Sequence, residues 1–409
     1  MSQAGSIKPI EMLRIPAFRL LWTNSFIFVL VQSTQRFAFV WLALDLGARS
    51  DISGVILFVM GIPALLISLP VGVMSDRMDR RLLLMGSQLG ALIVTVAIAT
   101  MVTTGHITTS WAIAGSFVAG IFIALGAPVR TAMVPTLVPK DKLVGAIAVS
   151  TIGSNIGLII GPATAGPAIK IWGIQGAFWL QAVLYFIGFL VLLPLHVPEV
   201  PPSPRRKLRE EIFEGVKFIN GHEAVRSFYV LLSSSTVFMM APWIVLGPQI
   251  AREQAGATGS QTTLLFALLG VGQFLTSMAI MRFNHKMVKK GLWFMCGLCW
   301  GSTVQMLLGQ SSSIPVMGLF LFLWGLGGGM YMNLNQTLIQ NNTPAPVMGR
   351  VMAIHSLLMS GLAPAGALFV GLIARKIDSA PFVFTTCGFL MLLSVGYFLT
   401  FKKHLRPMA

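Results

Sequence analysis

Twelve apolar stretches, each about 20 residues or longer, succeed one another along this chain. A stretch of that length crosses a ~30 Å hydrocarbon core as a helix, because a helix satisfies its own backbone where no water can. The stretches run approximately over 17–44, 52–75, 82–104, 109–134, 143–169 and 175–196, then 228–251, 262–283, 291–309, 314–340, 350–374 and 380–401. Only 10% of the residues are charged, against about 25% in a soluble protein, so the expected fold class is an all-α membrane protein.

The net charge of +16 would point to nucleic acid in a soluble chain. Here its distribution points elsewhere. Nearly all Lys and Arg fall in loops on the N-terminal side of the spans. The opposite side carries only Arg49, Lys170, Arg252, Arg375 and Lys376, while Arg36 and Arg130 lie inside spans. That asymmetry places both termini in the cytoplasm of a multi-pass inner-membrane protein and makes a nucleic-acid partner unnecessary. Arg14 and Arg19 precede a first span too long for a signal-peptide core, so no cleavable leader is expected. Cys296 and Cys299 have redox-motif spacing but lie in an apolar span. They read as small buried apolar residues; the third cysteine is Cys387.

The longest polar stretch, 198–226, divides the chain into 1–197, a linker and 227–409. It opens Pro198-Glu199-Val200-Pro201-Pro202-Ser203-Pro204, which is too proline-rich for a helix. It then continues into an amphipathic pattern with Leu208, Ile212, Val216 and Ile219 on one face and Glu210, Glu214 and Lys217 roughly opposite. This predicts a helix lying on the inner membrane face or a solvated linker helix. The halves carry a weak internal repeat: 139–146 follows the fourth span as 344–351 follows the tenth, and Pro162 has a counterpart in Pro364. The loop at Asn284, Lys289 and Lys290 echoes the charged loop after the second span, without its acid.

That loop reads Gly72-Val73-Met74-Ser75-Asp76-Arg77-Met78-Asp79-Arg80-Arg81. It resembles the loop between the second and third helices of the major facilitator superfamily, G-x-x-x-D-R-x-G-R-R/K, with Asp79 where that family often has Gly. Gln35-Arg36-Phe37-Ala38, Pro128-Val129-Arg130, Leu137-Val138-Pro139 and Gly349-Arg350-Val351 are similar to the enterobactin-exporter-like branch. Gly157, Gly161, Pro162 and Gly166 partly resemble the fifth-helix motif of antiporters. Where drug/proton antiporters often carry an Arg early in helix four, this chain has Ser116. The resemblance implies two six-helix bundles, a substrate site between them, and a cytoplasmic latch involving Gly72, Asp76, Arg77, Arg80 and Arg81. A plainer role as topology determinants fits the same cations. Gly161 and Pro162 are candidates for a bend on which gating turns.

Arg36 is the foremost candidate for substrate contact. An Arg at depth costs about 2.5–3.5 kcal/mol on insertion scales, so it is expected to face a cavity or a partner. A guanidinium there suits a carboxylate, catecholate or phosphate group. Gln32, Gln35, Ser235, Asn335 and Gln336 join it, because the resemblance implies that helices one, four, seven and ten line the cavity. Each also suits a helix–helix hydrogen bond. Met239, Met240, Trp243, Met330, Tyr331 and Met332 offer an adaptable apolar wall or ordinary packing. Arg130, nearer the cytoplasmic end of its span, is expected to pair with a loop acid or to reach the interface. All thirteen Asp and Glu lie in loops or at span ends, which disfavours a cationic substrate. Asp45, Asp76 and His355 remain as groups for proton coupling.

The expected function is export of a small organic molecule, siderophore-like or drug-like, by alternating access. Alternatives on the same scaffold are a lipid or glycolipid flippase and a non-transporting sensor. No catalytic constellation appears within the spans, and no metal or other cofactor is called for. The expected partners are the small-molecule substrate, the lipid bilayer and protons as coupling ion, with the chain acting as a monomer.

Overall fold

Uninterrupted runs of Leu, Ile, Val, Phe, Met and Ala leave the backbone no choice but to bond to itself, and the structure is helical accordingly. This computed structural model describes residues 9–47, 50–75, 78–139, 142–197, 208–283, 287–402 and 405–408. Asp76 and Arg77 of the latch, Arg49, Asn284 and the proline-rich stretch 198–207 lie outside them. After a 3-10 turn at Pro9–Arg14 come α1 (Pro16–Asp45), α2 (Ser50–Ser75), α3 (Arg80–Thr103), α4 (Thr109–Leu137), α5 (Leu143–Trp172) and α6 (Ile174–Leu192). A shorter α7 (Leu208–Gly221) precedes α8 (Glu223–Ser235), α9 (Ala241–Ala255), α10 (Gly259–Phe283), α11 (Lys290–Leu308), α12 (Ile314–Asn341), α13 (Ala345–Ile377) and α14 (Ala380–Phe401). Twelve segments among the described residues are long and apolar enough to cross a bilayer. The seventh consists of α8 and α9, joined by a π-turn at Thr236–Met240. No strand occurs among the described residues.

Two compact units form, Met1–Leu46 with Val59–Pro204 and Gly47–Phe58 with Arg205–Ala409. In the first, α1 packs against α4, α5 and α6, and α3 against α4 and α6. Its lower core gathers Phe18, Leu21, Leu84, Met133 and Leu192, all buried. In the second, α12 lies between α10 and α11, and α13 packs on α7 and α9. Its core gathers Phe228, Leu232, Phe294, Leu338, Met391 and Val395. Helices α10 and α12 touch backbone to backbone: a Cβ at Gly325 would lie 2.1 Å from the Leu269 carbonyl, and one at Gly272 would lie 2.3 Å from that of Phe322. Outward faces carry large apolar side chains such as Trp293, Trp300 and Leu307 of α11, as lipid contact requires. Cys296 shares that outward stripe and is exposed; only Cys387 is buried, and all three thiols are free. The expectation that Cys296 and Cys299 are buried therefore fails for Cys296, which helical phase turns outward, and Cys299 is only partly buried.

The linker helix α7 turns only part of its apolar surface into the protein. Ile219 is buried, but Val216 is 40% exposed and Phe213 68% exposed. The buried face runs through Gly215, whose missing side chain admits Ile354 and Arg350 of α13, and Glu214 pairs with Arg350. In the first unit Asp79 caps α3, its Oδ1 accepting from the backbone N–H of Arg81 (2.8 Å) and Leu82 (3.4 Å). At the start of α11, where the echoing loop has no acid, backbone carbonyls of the C-terminal tail serve instead. Gly291 N–H donates to Met408 (2.9 Å) and Leu292 N–H to Arg406 (3.2 Å).

Candidate functional site

Helix α1 is buried on most of its circumference, yet Ser25, Val29, Gln32 and Arg36 are only partly covered. Their spacing of four, three and four residues makes them one stripe of the helix. Among the described residues none forms a hydrogen bond or an ion pair with Arg36. Helix α1 thus carries a half-buried cation inside a membrane span, beside the amide of Gln32. Gln35, one position earlier, points elsewhere: it is 1% exposed and accepts from the Tyr185 hydroxyl of α6 at 3.2 Å.

Arg130 of α4 does not pair with a loop acid or reach the interface. It is 5% exposed and held by two amides, donating from Nε to Asn24 Oδ1 (3.0 Å) and from Nη2 to Gln88 Oε1 (2.7 Å). Its guanidinium carbon lies 3.6 Å from the centre of the Phe28 ring. The physical reason is local. Asn24 and Gln88 enter the interior from the N-terminal halves of α1 and α3, so polar partners stand within hydrogen-bonding distance of Arg130. Sequence reading overlooked Gln88 and Tyr185; a Gln inside a lipid-embedded span was the available signal, since such an amide must find a partner.

The glycines of α5 form its seam with α1. A Cβ at Gly161 would lie 1.8 Å from Ser33 Oγ and 2.6 Å from the Leu30 carbonyl. Thr34 donates to the Gly161 carbonyl at 2.6 Å, and Ser33 to that of Gly157 at 3.3 Å. Pro162 follows at once inside the helix and removes one N–H from its ladder. Gly72 lies in α2, near its C-terminal end. Arg80 donates from Nη1 to the Ala132 carbonyl of α4 at 3.1 Å, and Arg81 donates to that of Leu193, the residue capping α6. Both cations thus meet carbonyls near the ends of neighbouring helices in their own unit, as the helix dipole favours. Ser116 is a buried neutral group bonded to the Ile113 carbonyl at 2.7 Å.

In the second unit Ser235, at the foot of the π-turn, donates to the Tyr331 hydroxyl at 2.8 Å. Thr236 and Asn335 lie beside the same hydroxyl. Asn335 is 2% exposed, and its Oδ1 has no partner among the described residues. Gln336, the next residue, is exposed. The structure therefore brings Ser235 and Asn335 together around Tyr331 and leaves Gln336 apart. The π-turn has a supporting side chain: Gln305 Nε2 donates to the Phe238 carbonyl (2.9 Å) and to that of Phe384 (3.1 Å). Neither the π-turn nor Gln305 was foreseen, because a one-residue change of helical register leaves no periodic trace. His355 of α13 is partly buried, its ring edge-on to Tyr229 with centroids 6.5 Å apart. Asp45 is exposed at the end of α1. No group of three or more His, Cys, Asp or Glu suited to a metal ion occurs among the described residues.

Residues 21–367 match the family model described as Major Facilitator Superfamily. The chain is 22% identical over 361 residues to the Staphyloferrin A transporter of Staphylococcus aureus, spanning 87% of this chain and 89% of that protein. It is 25% identical over 300 residues to the Enterobactin exporter EntS of Salmonella typhi, spanning 69% of each. Among solved structures, the nucleoside transporter NupG superposes with a TM-score of 0.75 at 11% identity, covering 95% of this chain and 99% of that one. The POT family transporter PepTSo superposes at 0.72 and 12% identity, covering 95% and 98%. At such identities the structural likeness speaks for the fold alone.

Proposed function

The chain belongs to the Major Facilitator Superfamily and is a multi-pass membrane transporter rather than an enzyme; we propose that it exports a small organic anion of the siderophore type across the bacterial cytoplasmic membrane by alternating access. The observation that carries this reading is Arg36, a cation on a membrane-spanning helix with no ion-pair partner among the described residues. A guanidinium so placed has unused charge and a planar fork of donors, which match a carboxylate or catecholate. Asp51, buried at the start of α2, is already paired with Arg375, which leaves no spare buried acid among the described residues to hold a cationic substrate. Two relatives whose names mention siderophores, staphyloferrin A and enterobactin, support the same substrate class. The excess of Lys and Arg on one side of the spans supports cytoplasmic termini.

The neutral cluster of Ser235, Tyr331 and Asn335 is the proposed hydrogen-bonding partner for substrate hydroxyl or amide groups, with Gln32 beside the cation. Asp76, Arg77, Arg80 and Arg81 are proposed to govern closure on the cytoplasmic side, and Gly161 with Pro162 to permit bending. Outward movement against a gradient needs a coupling ion, for which Asp45, Asp76 and His355 are the titratable groups. Transport into inverted membrane vesicles tests the reading, comparing an anionic siderophore with a cationic dye, each with and without a pH gradient. The siderophore should accumulate and the dye should not, and Arg36→Gln should lower the initial rate at least tenfold with normal membrane insertion. Equal handling of both compounds, or wild-type rates from that variant, would refute the proposal.

A further inference from the structure

Among the described residues, Arg130 is the buried charge of the first unit that the proposed transport leaves unexplained. Among the described residues every contact it makes is neutral, so the cation is buried with no acid to offset its desolvation. Its two amides are themselves aimed. Asn24 Nδ2 donates to the Gly188 carbonyl at 2.9 Å and Gln88 Nε2 to that of Tyr185 at 3.3 Å, which turns both amide oxygens toward the guanidinium. Two glycines keep the space open. A Cβ at Gly126 would lie 2.4 Å from Arg130 Nη1, and one at Gly188 would lie 2.3 Å from Gln88 Nε2. Nη1 itself is buried without a partner.

The cluster grips α1 along a single stripe. Asn24 and Phe28 meet Arg130 directly, Val31 packs in the same core as Phe28 and Tyr185, and Gln35 takes the Tyr185 hydroxyl. These four positions, spaced four, three and four, share one face of a helix with about 3.6 residues per turn. Arg36 and Gln32 each follow a stripe residue by one, which sets them about 100° further round. Whatever fixes the first stripe therefore fixes the direction of the second. A guanidinium can meet two amides and a ring at once from one rigid plane, and an ammonium cannot.

We infer that Arg130 is a positioning residue: it sets the rotation of α1 about its axis and so turns Arg36 to the uncovered face. The functional half of this inference rests on Arg36 being the substrate cation. A labelling experiment reads the rotation without reference to transport. In a chain carrying Cys296→Ala, Cys299→Ala and Cys387→Ala, Gln32→Cys and Val31→Cys report the two stripes by their reaction with a water-soluble maleimide in native membranes. Gln32→Cys should react at least fivefold faster than Val31→Cys. Adding Arg130→Met or Arg130→Lys should bring the two rates within twofold and depress export. Gly126→Ala, which presses on the guanidinium without removing it, should move both readouts in the same direction and serves if the Arg130 variants do not fold. An unchanged labelling ratio in folded Arg130→Met protein would overturn the inference, as would full restoration of ratio and export by Arg130→Lys. If instead Arg36→Gln exports normally while the ratio still responds to Arg130, the substrate reading fails and the control of α1 rotation stands.

Discussion

Gly161 has no room for even a methyl group. Ser33 Oγ, 1.8 Å from the built Cβ, can rotate away, but the Leu30 carbonyl at 2.6 Å belongs to the backbone of α1 and cannot. Gly161→Ala should therefore destabilise the folded protein by about 1–3 kcal/mol. Adding Ser33→Ala should recover only part of the loss in thermal unfolding of the detergent-purified protein. Full recovery would show that the hydroxyl alone was the obstacle. Sequence alone marked Gly161 through its glycine spacing, because small residues at every fourth position announce a helix contact wherever the partner lies. The same reading marked Arg36 by its cost in lipid. It grouped Gln35 with Arg36, and there tertiary structure separated them, since adjacent residues on a helix diverge by about 100° and only packing decides which faces inward.

The seventh span shows what happens at the scale of an element. Its π-turn sends the Ala241 N–H to the Thr236 carbonyl, five residues back, and the Phe238 carbonyl finds its donor in Gln305 of α11. Gln305→Leu removes that donor, at a cost of about 1–3 kcal/mol for the buried carbonyl left bare. Hydrogen exchange should speed up locally across 236–240 and remain unchanged in α1 to α6. Exchange that rises evenly over the whole chain would contradict this assignment. Spans as units were legible: most predicted limits agree with the helices within about three residues, because mean hydropathy over 20 residues averages out local detail. The linker helix was legible as a helix. Gly215 is invisible to a hydrophobic stripe, yet it is the position that lets α7 approach α13.

At the scale of the whole molecule, the compact units do not follow the linker alone. Gly47–Phe58, from the loop before α2 and the start of that helix, belongs with the second unit. A Cβ at Gly54 would lie 2.7 Å from the Ala367 carbonyl, and Asp51 pairs with Arg375. Asp51 is 6% exposed and Arg375 60% exposed by side chain. Losing the two ends of this pair should therefore not be equivalent. Arg375→Ala leaves a buried carboxylate without its partner, whereas Asp51→Asn leaves an arginine that water still reaches, so the first should lower the unfolding temperature more. Equal shifts would mean that solvent screens the carboxylate after all.

The sequence by itself determined an all-α protein of twelve spans, the sidedness of its charge, and a lone cation deep in the first span. These follow from the transfer of whole segments between water and lipid, a sum over neighbouring residues that needs no knowledge of partners. Only the tertiary structure decided that Arg130 rests on Asn24 and Gln88, that Tyr331 gathers Ser235 and Asn335, and that the seventh span breaks its register. Those outcomes depend on hydrogen bonds between helices far apart in the chain, whose strength turns on distance and on the rotation of each helix about its own axis, and no count of residues along one strand of sequence contains either.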